Sequence, residues 1–126
     1  MMAEPTIPEK VESVFKWAGF KTVISDDIYG EHWVDPNGEV VTVAGYYQYT
    51  LPTPNDIEFL GYMDKYVFPK LQDTGYLITI EAKANEYKYN VELHNVNKGG
   101  VKYSMHQDSI AIALLNAVYE VVINGQ

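Results

Sequence analysis

Three consecutive segments of alternating polarity constrain this chain more than anything else in it. Gly75 to Lys83 places Tyr76, Ile78, Ile80 and Ala82 on one side and Leu77, Thr79, Glu81 and Lys83 on the other. Tyr87 to His94 repeats the pattern, with Tyr87, Tyr89, Val91 and Leu93 against Lys88, Asn90, Glu92 and His94. Val101, Tyr103 and Met105 then alternate with Lys102, Ser104 and His106. Turn-forming residues separate the three, at Ala84-Asn85-Glu86 and Asn97-Lys98-Gly99-Gly100. Period-two alternation with one apolar face predicts a three-strand antiparallel meander whose apolar face must be covered.

Helical patterns supply the cover. The chain closes on a segment from Asp108 to Val122 that is apolar almost all round, so the helix it forms is buried on more than one side, in the core or in a homodimer interface. An earlier helix opens at Thr53-Pro54-Asn55-Asp56: Thr53 suits the cap, Pro54 the first helical position, and Asp56 stands three residues after the cap. It is expected to run to about Phe68, with Gly61 allowing something to approach closely and Pro69 ending or distorting the last turn. A short amphipathic helix is predicted from Pro8 to Ala18, stopped by Gly19, with residues 1–7 loose.

Phe20 to Ile24 reads as a short strand, and Asp35-Pro36-Asn37-Gly38 is a strong turn signal joining His32–Asp35 to Glu39–Val43 as a hairpin or its remnant. The expectation is therefore one α+β domain over residues 8–126. It has a small antiparallel sheet, the meander at about 75–106 plus an N-terminal hairpin, packed with two longer helices and a short N-terminal one.

Charge and composition narrow the function classes. The formal net charge is -8, and all nine basic residues are lysines scattered along 126 residues. Without a basic stripe, duplex nucleic-acid binding is disfavoured, and without arginine there is no bidentate capture of phosphate or carboxylate. An acidic surface favours solubility and basic partners. The chain has no cysteine, so disulfide and thiolate chemistry are excluded. It lacks a run long and apolar enough to span a membrane, and its acidic start does not resemble a secretory signal. Those features lead to an expectation of a cytoplasmic protein with no membrane partner.

Side chains that could carry chemistry are few. His94 and His106 fall on the polar face of consecutive expected strands and, with Glu81 and Glu92, could hold zinc or manganese; the spacing matches no known ligand pattern, and solvated strand residues are the plainer reading. Asp26, Asp27, Glu31 and Asp35 lack the alternation of a calcium loop. Gly99-Gly100 is no phosphate loop, and no serine sits in a nucleophile setting. No catalytic residue, metal ligand or cofactor is therefore assigned. The aromatic residues are the better clue. Trp33 precedes Tyr46, Tyr47 and Tyr49, with Tyr47 and Tyr49 sent to one face and Tyr46 to the other. Exposed tyrosine and tryptophan give large contact area at low entropic cost, so these four are the candidate partner- or ligand-binding residues; the alternative is that β-rich sequence simply favours tyrosine.

Several segments together are similar to the phage ABA sandwich domain family, small proteins of phages and prophages of low-GC Gram-positive bacteria. They are Lys16-Trp17-Ala18-Gly19, Trp33-Val34-Asp35-Pro36-Asn37-Gly38, Tyr49-Thr50-Leu51-Pro52-Thr53-Pro54-Asn55-Asp56-Ile57 and the closing Ile110-Ala111-Ile112-Ala113-Leu114-Leu115. The likeness spans about residues 10–122. It implies a fold and a phage setting, and no catalytic residue comes with it. The resulting expectation is a phage or prophage accessory protein of the host cytoplasm. It would bind a host or phage protein rather than catalyse, with a homodimer through the C-terminal helix also expected. The alternatives are a small-ligand binder, such as a sponge for a nucleotide signal, and a metal-dependent hydrolase using His94 and His106.

Overall fold

The structure, a computed structural model, describes residues 4–24, 30–43, 50–83, 88–97 and 101–124, with the backbone alone for 83, 101–104 and 106. Helix α1 (Ile7–Trp17) begins one residue before the predicted start. Thr6, expected to be loose, caps it in a reciprocal box. Its hydroxyl accepts from the Glu9 N–H at 3.3 Å, and the Glu9 carboxylate accepts from the Thr6 N–H at 2.9 Å. Gly19 stops the helix at a φ of +109°, and a Cβ there would lie 3.3 Å from the Pro36 ring. Val11, Val14 and Phe15 form the buried stripe of α1.

The N-terminal hairpin is built from β1 (Lys21–Ile24) and β2 (Glu31–Val34), antiparallel from Lys21↔Val34 to Ile24↔Glu31. The Asp-Pro-Asn-Gly turn forms, with the Gly38 N–H on the Asp35 carbonyl at 2.9 Å. The segment after it, expected to pair with His32–Asp35 as a hairpin or its remnant, forms the remnant: an isolated Val34↔Val40 bridge in which the Asp35 N–H donates to the Glu39 carbonyl at 2.8 Å and the Val41 N–H to the Trp33 carbonyl at 3.0 Å. Beyond the bridge, Val41 and Val43 are buried in the core, and the Thr42 N–H between them donates to the Tyr62 hydroxyl at 3.4 Å.

The central helix differs from the expected one at both ends. Thr53 and Asp56 close a separate turn, the Thr53 N–H and hydroxyl both donating to Asp56 Oδ2 at 2.6 and 3.1 Å. Asp56, not Thr53, is then the cap residue, and α2 spans Ile57–Tyr62. A π-helical turn follows at Met63–Val67, and α3 (Phe68–Asp73) carries the helix past Pro69. Proline has no N–H to donate and its ring crowds the preceding turn. The wider π turn directly before it accommodates both, so the helix is distorted rather than ended.

The meander forms as the alternation requires: β3 (Tyr76–Lys83), β4 (Lys88–Asn95) and β5 (Val101–Gln107), in the order β3-β4-β5. Ile78 faces Leu93, and Leu93 faces Tyr103. Helix α4 (Ile110–Asn124) starts beside the expected Asp108, where the Ser109 hydroxyl accepts from the Ile112 N–H at 3.4 Å. It lies between α1 on one side and β4 and β5 on the other. That placement accounts for its all-round apolar character, since Leu114, Leu115, Val118 and Val121 are buried within one chain. Phe15, Phe59, Met63, Leu71 and Leu93 complete the packed centre of an α+β fold. Among the described residues no helix is long and apolar enough to cross a membrane.

Candidate functional site

Strand β2 positions Trp33. Its neighbours His32 and Val34 are buried, while Trp33 is half-buried and packs against the edge of the core. His32 Nδ1 lies 3.0 Å from the Gly30 carbonyl, so this histidine is held inward at the strand start. Trp33 lines a groove of about 180 Å³ between α1 and residues 50–53, shared with Pro8, Glu12, Leu51 and Pro52. Lys16 Nζ stands 5.9 Å from the ring centroid and is paired with Glu12 at 2.9 Å. Of the four aromatic residues expected to form a binding surface, Trp33 therefore sits in a groove; Tyr46, Tyr47 and Tyr49 lie outside the described residues.

The strand register separates the two histidines considered as metal ligands. His94 pairs with Lys102, whereas His106 pairs with Asn90. Along β4 they are therefore four residues apart, about 13 Å. Among the described residues no group of three metal-ligating side chains converges.

A second constellation was not singled out from sequence. Asp35 is 4 % exposed, and its carboxylate is satisfied from three directions. Oδ1 accepts from the Asn37 and Glu39 N–H groups, each at 2.9 Å, and Oδ2 accepts from the Tyr66 hydroxyl at 2.9 Å. Asn37 Nδ2 in turn donates to that hydroxyl at 3.2 Å. The Tyr66 phenol is pushed above its ordinary pKa, first by burial and then by the Asp35 carboxylate. Lys65, whose Nζ is 5.3 Å from the Tyr66 ring centroid, is raised chiefly by its interaction with the Tyr66 hydroxyl. Tyr62 stacks on Tyr66 with centroids 6.3 Å apart, and Phe20 meets both edge-on.

Beside this stack lies an open groove of about 250 Å³ lined by Thr42, Glu58, Gly61, Tyr62 and Lys65. Gly61 was expected to admit a close neighbour; instead a Cβ built there meets nothing within 4 Å, so its missing side chain leaves the groove open. A cation, a carboxylate and a phenol around a shallow space can hold a small polar or flat group by stacking and hydrogen bonding. Two signals for this site were present in the sequence. Tyr62 and Tyr66 stand at i,i+4, and an Asp opening a Pro-Asn-Gly turn commonly accepts from the N–H two residues on.

Lysines are used singly over rings across the molecule. Lys10 lies 5.5 Å from the Tyr119 centroid and Lys70 lies 4.8 Å from that of Trp17, in addition to the pairs at Trp33 and Tyr66. Lys70 also donates to the Trp17 carbonyl, and Lys10 to Asn116 at 2.8 Å. Acidic groups such as Glu31, Glu39, Asp64, Asp73 and Glu81 are exposed. Compared with protein-family models, curated proteins and solved structures, the chain matches none.

Proposed function

We propose that this chain acts by binding a protein partner, as a phage or prophage accessory protein working in the host cytoplasm. The observation that carries the reading is the Trp33 groove. A half-buried indole between Pro8, Leu51 and Pro52 offers a partner side chain an apolar seat. The net charge of -8 adds a preference for a basic partner surface. The phage setting rests on the sequence likeness to the phage ABA sandwich domain family, and the α+β order of elements is compatible with it. Most apolar residues of α4 are buried in the core, with Ile123 exposed, and a homodimer through that helix forms no part of this proposal.

The experiment is affinity capture from host lysate with the wild-type chain and Trp33→Ala side by side. A stoichiometric partner held by the wild type and lost from a folded Trp33→Ala supports the proposal. A partner retained equally by both, or a blank across several hosts, overturns it.

A second reading, a small-ligand binder such as a nucleotide-signal sponge, is favoured by the separate groove over Gly61 with Tyr62 and Lys65 on its rim. Thermal-shift measurement with nucleotides at millimolar concentration decides it, since a ligand that binds only the folded state raises the melting temperature.

A further inference from the structure

We infer that strand β3 pairs edge-to-edge with β3 of a second copy of this chain, in antiparallel register centred on Thr79. The interface uses elements other than those of the Trp33 groove and goes beyond the proposed binding function.

Among the described residues β3 has β4 on one side and no strand on the other. Its eight residues pair with β4 without a bulge, from Tyr76↔Asn95 to Lys83↔Lys88. It contains no proline, and its only charges, Glu81 and Lys83, come near the end. Protected edge strands are short, bulged, or interrupted by proline or inward charge, and this one is none of these. Its apolar residues are also incompletely covered. Tyr76 is 4 % exposed, but Ile80, on the same face by alternation, is 40 % exposed, and Leu77 on the other face is 60 % exposed. Helix α3 touches β3, yet the far end of the strand runs past its cover.

A second copy fits this edge by its own symmetry. Residues opposed across an antiparallel pair share a face, so a two-fold axis passing through a residue keeps both helix layers on one side of the joined sheet. An axis at Glu81 would set two like charges opposite each other, which is unfavourable. An axis at Thr79 avoids this, because the two Glu81 residues then stand four positions apart, about 13 Å. In that register Thr79 meets Thr79, a favourable cross-strand pair, and Ile78 of each copy faces Ile80 of the other. Tyr76 faces Ala82. Ile80, 40 % exposed, thereby gains an apolar cross-strand neighbour from the other copy.

The chain has no cysteine, so a single introduced thiol reports the register without interference. Sedimentation of the wild type at hundreds of micromolar is expected to show dimer. Thr79→Cys is expected to form a disulfide dimer under mild oxidation, while Leu77→Cys, which faces Glu81 of the other copy, forms far less. Ile80→Lys, which places a charge on the exposed edge, is expected to weaken dimerisation at least about tenfold with unchanged circular dichroism. A wild type that stays monomeric at that concentration, or Leu77→Cys cross-linking as readily as Thr79→Cys, overturns the proposal. If Ile80→Lys does not fold, the cysteine pair alone decides.

Discussion

Tyr66 donates its phenolic hydrogen to the buried carboxylate of Asp35 across 2.9 Å, joining the π-helical turn to a loop 31 positions earlier in the chain. The bond ties two irregular features together. The turn at 35–38 would otherwise bury a carboxylate with only backbone partners, and the π turn would leave a phenol at the core margin. Each satisfies the other, and the pair holds Tyr62, Lys65 and Gly61 beside Thr42 to form the open groove.

Tyr66→Phe tests the strength of that tie. It keeps the ring, and with it the contacts to Phe20 and Tyr62, and removes only the hydroxyl. The carboxylate retains the Asn37 and Glu39 N–H groups, so the loss should be about 1 to 2 kcal/mol, at the lower end for a hydrogen bond to a charged group. Urea unfolding should show a lower midpoint with an unchanged slope. An unchanged midpoint would mean that the bond contributes nothing net.

The same phenol sets a pH dependence at the alkaline end. Its folded-state pKa is raised, by burial first and by Asp35 second, above an unfolded value near 10.0. The neutral form is thus favoured by folding. Its contribution is fully present below the unfolded pKa and is lost as pH rises through the folded one. Wild-type stability should therefore fall above about pH 10 more steeply than that of Tyr66→Phe. Unfolding midpoints of the two proteins between neutral pH and about 11 check this, and parallel curves would refute it.

How much of this could be read in advance depended on the range of the interaction. The meander was legible because Tyr76 to Met105 alternates with strand-favouring residues on its apolar face, and register follows from alternation plus turn length. The burial of α4 was legible from its composition, although not the identity of its neighbours. The π turn was hidden because the apolar spacing from Ile57 to Leu71 suits a helix whichever hydrogen bonds it makes. The pairing of β2 was hidden because a turn signal says where the chain reverses, not whether the returning segment wins the ladder. Here β1 pairs along the whole of β2, while the returning segment keeps a single bridge at Val34↔Val40 before Val41 and Val43 enter the core. The Asp35–Tyr66 bond is a long-range contact without local periodicity, so only its two halves were visible.

At the other end of the molecule, Thr6→Ala should cost about 1 kcal/mol by removing the cap of α1. The Glu9 carboxyl, held below its ordinary pKa chiefly by the Thr6 N–H, keeps that single bond. Because α1 buries Phe15 against Phe20 and Phe59, loss of the cap should appear as faster hydrogen exchange in its first turn before the core opens. Exchange as slow in the variant as in the wild type would show that packing alone holds the turn.

Two glycines should respond to the same substitution with opposite signs. Gly61 lies inside α2 in ordinary helical conformation, and a methyl group there enters open space. Gly61→Ala should therefore stabilise the fold by about 0.5 to 1 kcal/mol, the usual helix-interior difference. Gly19 has a φ of +109° and the Pro36 ring close by, so Gly19→Ala should destabilise by about 1 to 2 kcal/mol. The stabilised variant also carries a functional consequence. Its methyl group stands in the groove beside Tyr62 and Lys65, so any ligand that raises the wild-type melting temperature through this groove should raise that of Gly61→Ala by less. A stabilising Gly61→Ala with undiminished ligand response would place the ligand elsewhere. A destabilising one would show that the space over Gly61 is needed by the fold itself.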